Sequence, residues 1–242
     1  APIRLCAYAD KGGIMTSVVN GATVEMENGR PRLMIDGEEH PPVFYGLSDI
    51  AAWRSWKPET QKNIRLFAEQ GIRTVMVDSE LRHCWKQSGE RPIQPLVDDI
   101  AGVLDAEPEA TVIVRLHVNA PYWWMKAHPE EMVQFADGPW VDDEKHDGVR
   151  LIANDLPRVM RVSLASEKWL QEGGEVLVDV LRQLAQTEEG EHVIGFQIAG
   201  GIQGEWHQWG ATRHEPDYSL PMRRRFRRYL RETYQTDEDL QQ

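Results

Sequence analysis

Val193-Ile194-Gly195-Phe196-Gln197-Ile198-Ala199-Gly200-Gly201-Ile202-Gln203-Gly204-Glu205-Trp206 is the stretch on which the reading of this chain turns. Its first part is apolar without alternation, the pattern of a strand covered on both faces, as in a parallel sheet flanked by helices. The strand then runs into glycines. A β-carbon at Gly200 or Gly201 would obstruct both a sharp turn and the close approach of a ligand. Glu205 follows with Trp206, His207 and Trp209 around it, and apolar neighbours of that kind raise a carboxyl pKa and suit it to donate a proton. Rings and glycines set around a carboxylate predict a binding or catalytic site rather than a plain polar turn.

Upstream, strand-like and helical periodicities alternate. Strands are predicted over 43–47, 72–77 and 111–116, and helices over 58–70, 95–106 and 174–186, with Gly71 stopping the first helix. A final helix is predicted over 219–234, with Met222, Phe226, Tyr229 and Leu230 on the face expected to turn inward. Between 120 and 165 lies a long turn-rich stretch, which in a compact domain is usually functional. The predicted strands end in polar residues: Asp49, then Asp78 and Glu80, then His117 and Asn119, then Gln197. Parallel βαβ units gather such ends at one mouth in a (β/α) barrel. A doubly wound sheet would carry a glycine fingerprint after its first strand, and none follows Leu47. The expected fold is therefore α/β, of (β/α)8 TIM-barrel type, with about the first four β/α units present over 43–242. Residues 1–42 are expected to form a small β-hairpin element, turning at Asn28-Gly29.

Composition narrows the function. The 242 residues are 41% hydrophobic and 27% charged, ordinary for a globular chain. A formal net charge of −12 argues against a nucleic-acid backbone or an anionic membrane as partner and favours a neutral ligand. No apolar run approaches the length of a membrane span. Cys6 and Cys84 are the two cysteines, too few and too far apart for a disulfide framework or a zinc site. The compartment stays open, with a cytoplasmic location favoured over a secreted one. Nine tryptophans against five phenylalanines stand out, because indole rings stack well on sugar faces.

The segment Val118-Asn119-Ala120-Pro121-Tyr122-Trp123-Trp124-Met125-Lys126-Ala127-His128-Pro129-Glu130 resembles the region after the third strand in family 42 glycoside hydrolases, which are β-galactosidases, and in their clan-A relatives. Those proteins carry Pro-x-Trp followed by His/Tyr-Pro-Glu. Gly71-Ile72-Arg73-Thr74-Val75 is similar to the family's second strand, Ser166 to Leu170 to the loop before its fourth helix region, and Val193 to Ile198 to its Val-Ile-Gly-Trp-Gln-Ile. The resemblance spans about 43–240 and implies the N-terminal half of a glycosidase barrel acting on a carbohydrate, with no cofactor. Two departures stand beside it. The family continues Gln-Ile-Asp-Asn-Glu, where this chain reads Gln197-Ile198-Ala199-Gly200-Gly201, and the clan's nucleophilic glutamate belongs to a seventh strand that has no counterpart here.

Retaining hydrolysis needs two carboxyl groups about 5–5.5 Å apart, one protonating the leaving oxygen and one attacking the anomeric carbon. Glu205 is the candidate acid/base, and the nucleophile is expected from outside this chain. Asp49, Asp78, Glu80, His117, Asn119, Gln197 and His207 have the hydrogen-bonding character to hold sugar hydroxyls, and Trp124 and Trp206 the rings to stack on a pyranose. Half a barrel leaves open strand edges, to be covered by a homo-oligomer or by a missing C-terminal half. The missing Asn-Glu pair also fits a non-catalytic sugar-binding module or pseudo-glycosidase. A metal-dependent hydrolase using His117, His207 and His214 lacks a His-Glu-x-x-His pair, and no metal is expected. The arginines of 223–228 read as the solvated face of an amphipathic helix rather than a nucleic-acid site.

Overall fold

The structure, a computed structural model, describes residues 21–47, 54–140, 160–201, 204–206, 214–234, 236 and 239. Asp49 and His207 lie outside the described residues, as do Cys6 and Trp209.

Strand β1 (Thr23–Glu27), β2 (Arg30–Ile35) and β3 (Glu38–His40) form an antiparallel sheet in that order. Two-residue turns join them, and register pairs Glu27 with Arg30 and Ile35 with Glu38. Asn28 (φ 51°) and Gly29 (φ 77°), then Asp36 (φ 52°) and Gly37 (φ 85°), take the left-handed conformations that such turns require. Asparagine, aspartate and glycine tolerate that region best, which is why these dipeptides sit there.

A second sheet has the order β4 (Tyr45–Gly46), β5 (Thr74–Glu80), β6 (Thr111–His117), β7 (Val193–Ala199). Strands β4, β5 and β6 pair in parallel, from Thr74 opposite Thr111 to Glu80 opposite His117. Hydrogen bonds from Val112 N to His192 O and from Val118 N to Ala199 O, both 2.8 Å, advance in the same sense, so β7 runs parallel to β6. Every residue of β5 is buried, the continuous burial expected of a strand covered on both faces. The chain is thus α/β with a four-stranded parallel sheet and a separate three-stranded antiparallel one.

Helix α1 (Pro58–Glu69) opens on a proline and closes on Gly71 (φ 82°), with Gly71 N–H donating to Ala68 O. Ile64 and Ala68 are buried, but Phe67 stays 38% exposed and stacks on Tyr45 at 4.5 Å. Helix α2 (Gln94–Leu104) buries Leu96, Ile100 and Val103. Short helix α3 (Tyr122–Ala127) follows β6, and helices α4 (Glu167–Leu184) and α5 (Glu188–Glu191) precede β7. Helix α6 (Leu220–Thr233) is capped by Ser219, whose side chain accepts from Met222 N–H.

Two expectations change here. Helix α4 begins at 167 rather than 174: Ser166 Oγ accepts from Trp169 N–H at 3.0 Å, capping a helix that runs through Gly173 and Gly174. A β-carbon at Gly173 would come 2.9 Å from the Trp169 ring, so this glycine accommodates an indole one turn earlier and does not mark a helix start. In α6, Phe226 and Tyr229 are each 55% exposed, stacked on one another rather than turned inward.

The described residues fall into two units. The first comprises Ala1–Lys86, Glu90–His117 and Leu177–Ile198, the second Gln87–Gly89, Val118–Val176 and Ala199–Gln242. Buried in the first are Val75, Val77, Val112, Val114, Leu116, Val180, Leu184 and Val193, and in the second Trp124, Met125, Met132, Val133 and Met160.

Candidate functional site

In the first unit, the ends of β5 and β6 carry a buried network of charge. Asp78 and Arg115 are cross-strand partners, and the guanidinium grips both carboxylate oxygens. His117 Nε2 lies 3.4 Å from Asp78 Oδ1. Burial pushes the Asp78 carboxyl up, but the hydrogen bonds and charges of Arg115 and His117 outweigh it and hold it below its ordinary value. A carboxylate so engaged is a fixed charge, unsuited to donating a proton. Glu80 is paired in the same way, accepting from Arg82 at 3.0 Å with both side chains buried.

Asp99 of α2 sits 3.1 Å from Arg54, whose guanidinium also donates to Asp78 O at 2.9 Å. Its carboxyl is pushed up to about 6 by burial, which Arg54 only partly offsets. Burial, helped by Asp99, pushes the neighbouring Cys84 thiol up to about 11, so it is no nucleophile at neutral pH. Gln197 is exposed on β7.

The second unit holds a cavity of about 330 Å³. Its walls are largely apolar, from Val118, Ala120, Val162, Leu164, Leu170 and the rings of Trp169 and Trp206, with Asn119, Arg161 and Ser163 as the polar groups. The glycine turn builds one side. Gly201 (φ 69°) donates its N–H to Asn119 Oδ1 at 3.3 Å, and Trp206 N–H donates to Gly200 O at 2.7 Å. Trp206 itself is left-handed (φ 62°), and its ring lies so close over Gly200 that a β-carbon there would meet it at 3.1 Å. What approaches Gly200 most closely is thus the chain's own indole, which remains 47% exposed.

Opposite in chain order, Ser163 is fully buried and its hydroxyl donates to Asp217, which also accepts the Ser219 N–H at 2.9 Å. That bond anchors the 160–165 segment on which Arg161, Val162 and Leu164 line the cavity. Glu205 is exposed next to Trp206, and none of the cavity-lining residues carries a carboxyl group.

Trp124 has no face open to a sugar. It is 1% exposed, its ring packs 4.5 Å from His128 and 5.1 Å from Trp169, and its indole N–H donates to Glu172 at 2.7 Å. Partial burial raises the Glu172 carboxyl, but the bond from Trp124 and the charge of Lys168 bring it below its ordinary value. Of the residues singled out from sequence, the structure brings Asn119 and Trp206 together at the cavity, places Glu205 beside them, and puts Asp78, Glu80, His117 and Gln197 in the other unit. Arg161 and Ser163 were not singled out. They lie just after a stretch without periodicity, and only the Ser163-x-x-Ser166 spacing before α4 hints at their role.

Among the described residues, no group of three His, Cys, Asp or Glu side chains is placed to hold a metal ion. Nor is any described helix long and apolar enough to cross a membrane.

No protein-family model and no curated protein sequence matches the chain. Its fold is similar to that of several solved structures, two of them β-galactosidases. A β-galactosidase from the psychrophilic Marinomonas ef1 matches with TM-score 0.52 and 18% identity, over 82% of this chain and 26% of its own. A β-galactosidase from Bacillus circulans sp. alkalophilus matches with TM-score 0.53 and 15% identity, over 83% and 26%. At such identities the likeness is one of fold, and the chain spans about a quarter of the length of these proteins.

Proposed function

We propose that this chain is part of a glycosidase of the (β/α)8 type, similar to the family 42 β-galactosidases of clan A, in which β4 to β7 supply the first strands of the barrel. The observation that carries the reading is the cavity beside the glycine turn, walled by Trp169 and the half-exposed Trp206 and edged by the amide of Asn119. An apolar ring face with a few convergent hydrogen-bonding groups is what a pyranose requires: C–H surface against the indole, hydroxyls against the amide of Asn119. In this reading Glu205 gives its proton to the glycosidic oxygen as the bond to the anomeric carbon breaks. A second carboxylate, from outside the described residues, attacks that carbon, and Glu205 then takes a proton from the incoming water. The similarity in fold to two β-galactosidases supports the reading at the level of architecture.

One observation favours a second reading, a sugar-binding protein without turnover: no carboxyl group lines the cavity. One experiment separates the two. Turnover of a panel of aryl glycosides and calorimetric affinity for the free sugars are measured for the protein, for Glu205→Gln and for Trp206→Ala. A catalytic Glu205 predicts turnover falling at least about a hundredfold in Glu205→Gln with affinity kept. A parent with affinity lost in Trp206→Ala but no turnover establishes binding alone. No sugar affinity in a folded parent refutes both.

A further inference from the structure

Away from the cavity, α4 and α6 enclose a cleft of about 80 Å³ lined by Lys168, Arg224, Arg225 and Arg228 with Glu131 and Glu167. We propose that this cleft is a binding site for a tetrahedral oxyanion, the phosphate or sulfate of a small ligand, distinct from the sugar cavity.

Three features carry it. First, α6 gathers cations on one side of the cleft: at 100° per residue, Pro221, Arg224, Arg225 and Arg228 share an arc of about 100°, and this arc lines the cleft. Second, two charges of the arc, Arg224 and Arg225, are not balanced from within. Glu167 pairs with Arg228 at 2.7 Å, and Lys168 pairs along its own helix with Glu172 at 3.4 Å. Among the described residues no carboxylate forms an ion pair with Arg224 or Arg225, and Arg224 and Arg228, one turn apart, repel. Third, residues of the first turns of both helices, Glu167 and Lys168 of α4 and Pro221 of α6, line the same space, so both positive dipole ends add to the arginine field. Guanidinium forks match the paired oxygens of a phosphate or sulfate, and the cleft's size suits that group rather than a whole sugar or a nucleic-acid base. In a protein of net charge −12, a concavity of this sign is a local exception to the surface.

The test is calorimetry on the full chain at fixed ionic strength, with chloride as background and with inorganic phosphate, inorganic sulfate and a phosphorylated hexose as titrants. Saturable binding is expected, weakened at least about tenfold in Arg224→Gln/Arg225→Gln and less in Arg224→Lys/Arg225→Lys. A charge-matched control, Arg223→Gln/Arg227→Gln, removes two cations of the same helix that do not line the cleft and is expected to change affinity less than about twofold. Tighter binding of the phosphorylated hexose than of phosphate identifies the ester as ligand, and equal binding identifies the free ion. Absence of saturable binding, or equal losses in the cleft and control variants, overturns the proposal. Aryl-glycoside turnover and sugar affinity of the cleft double variant are recorded alongside and should stay at parent values, so a failure of this site is distinguishable from a failure of the sugar cavity.

Discussion

Replacing Asp99 by asparagine should make the first unit less sensitive to pH, with a sign opposite to the usual acid denaturation. Asp99 is 4% exposed, and burial lifts its carboxyl from an ordinary 3.8 to about 6 despite Arg54 at 3.1 Å. The folded chain therefore binds a proton that the unfolded chain releases. Stability from this group is fully present below pH about 4 and is lost as pH rises through 6. A shift of roughly two pK units corresponds to about 3 kcal/mol, since each unit is worth 1.36 kcal/mol. The amide of the Asp99→Asn variant cannot titrate, so the stability difference, parent minus variant, should fall by roughly 2 kcal/mol between pH 4 and pH 7, because at pH 4 the unfolded carboxyl is already partly protonated. Cys84 reports it locally, being fully buried in the same unit and close to Asp99. In a Cys6→Ser background it is the one thiol left. Its labelling rate at each pH, divided by that of the urea-unfolded chain, gives the opening free energy. A difference that stays flat from pH 4 to 7, or that grows as pH rises, would refute the reasoning, because either result means that pairing with Arg54 equals or exceeds the cost of burial.

Asp78 carries the opposite sign: its carboxyl is held below the ordinary value, so its contribution is present at neutral pH and lost as pH falls below about 4, and Asp78→Asn should cost roughly 1.5–3 kcal/mol by weakening the charged hydrogen bonds from Arg115, measurable by urea denaturation at pH 7. Gly102→Ala places a β-carbon 2.4 Å from Ser55 Oγ and 2.8 Å from Trp56 N, and should destabilise by roughly 1–3 kcal/mol in the same assay, whereas Gly195→Ala meets nothing within 4 Å and should be neutral within about 0.5 kcal/mol. Gly200→Ala drives a β-carbon to 3.1 Å from the Trp206 ring, so sugar affinity should drop about tenfold with little change in the stability of the first unit. Unchanged affinity there would mean that Trp206 is no part of the binding surface.

Much of this architecture was legible because burial on both faces writes itself as unbroken apolar runs. Thr74–Glu80 and Thr111–His117 fall within a few residues of where periodicity put them, and Asn28-Gly29 makes the turn its chemistry demands. Failures have local causes. Gly173 and Gly174 read as a helix boundary because glycine costs helix about 1 kcal/mol relative to alanine, yet Gly173 is there to clear the Trp169 ring. Amphipathicity in α6 states that two faces differ; how far either is covered depends on what the helix lies against, and on the apolar face Met222 and Leu230 are half-buried while Phe226 and Tyr229 stay exposed. At the cavity, Asn119, Trp206 and the glycine turn were visible as residue types out of place in an ordinary loop. Trp124 looks the same in sequence and is a core side chain, since nothing in a Trp-Trp pair tells which ring has a face to spare. Asp78 and Glu80 are ambiguous in sequence for a related reason: a polar residue at a strand end serves a ligand or an arginine equally well, and here Asp78 meets Arg115 across the strands and Glu80 meets Arg82 just beyond its own strand.

The first unit is assembled from three separated pieces of chain, the last of which is Leu177–Ile198. During synthesis, β6 leaves the ribosome well before the β7 strand that pairs with it. The interval between His117 and Ile198 is about 80 residues, which at roughly 5–20 residues per second takes about 4–16 s. Through that time the parallel sheet has β4, β5 and β6 but not its last strand. A nascent chain stalled anywhere short of Val193 thus exposes the β6 edge to its neighbours, and synonymous changes that slow translation across the 118–192 interval should lower soluble yield without altering a single residue of the finished protein.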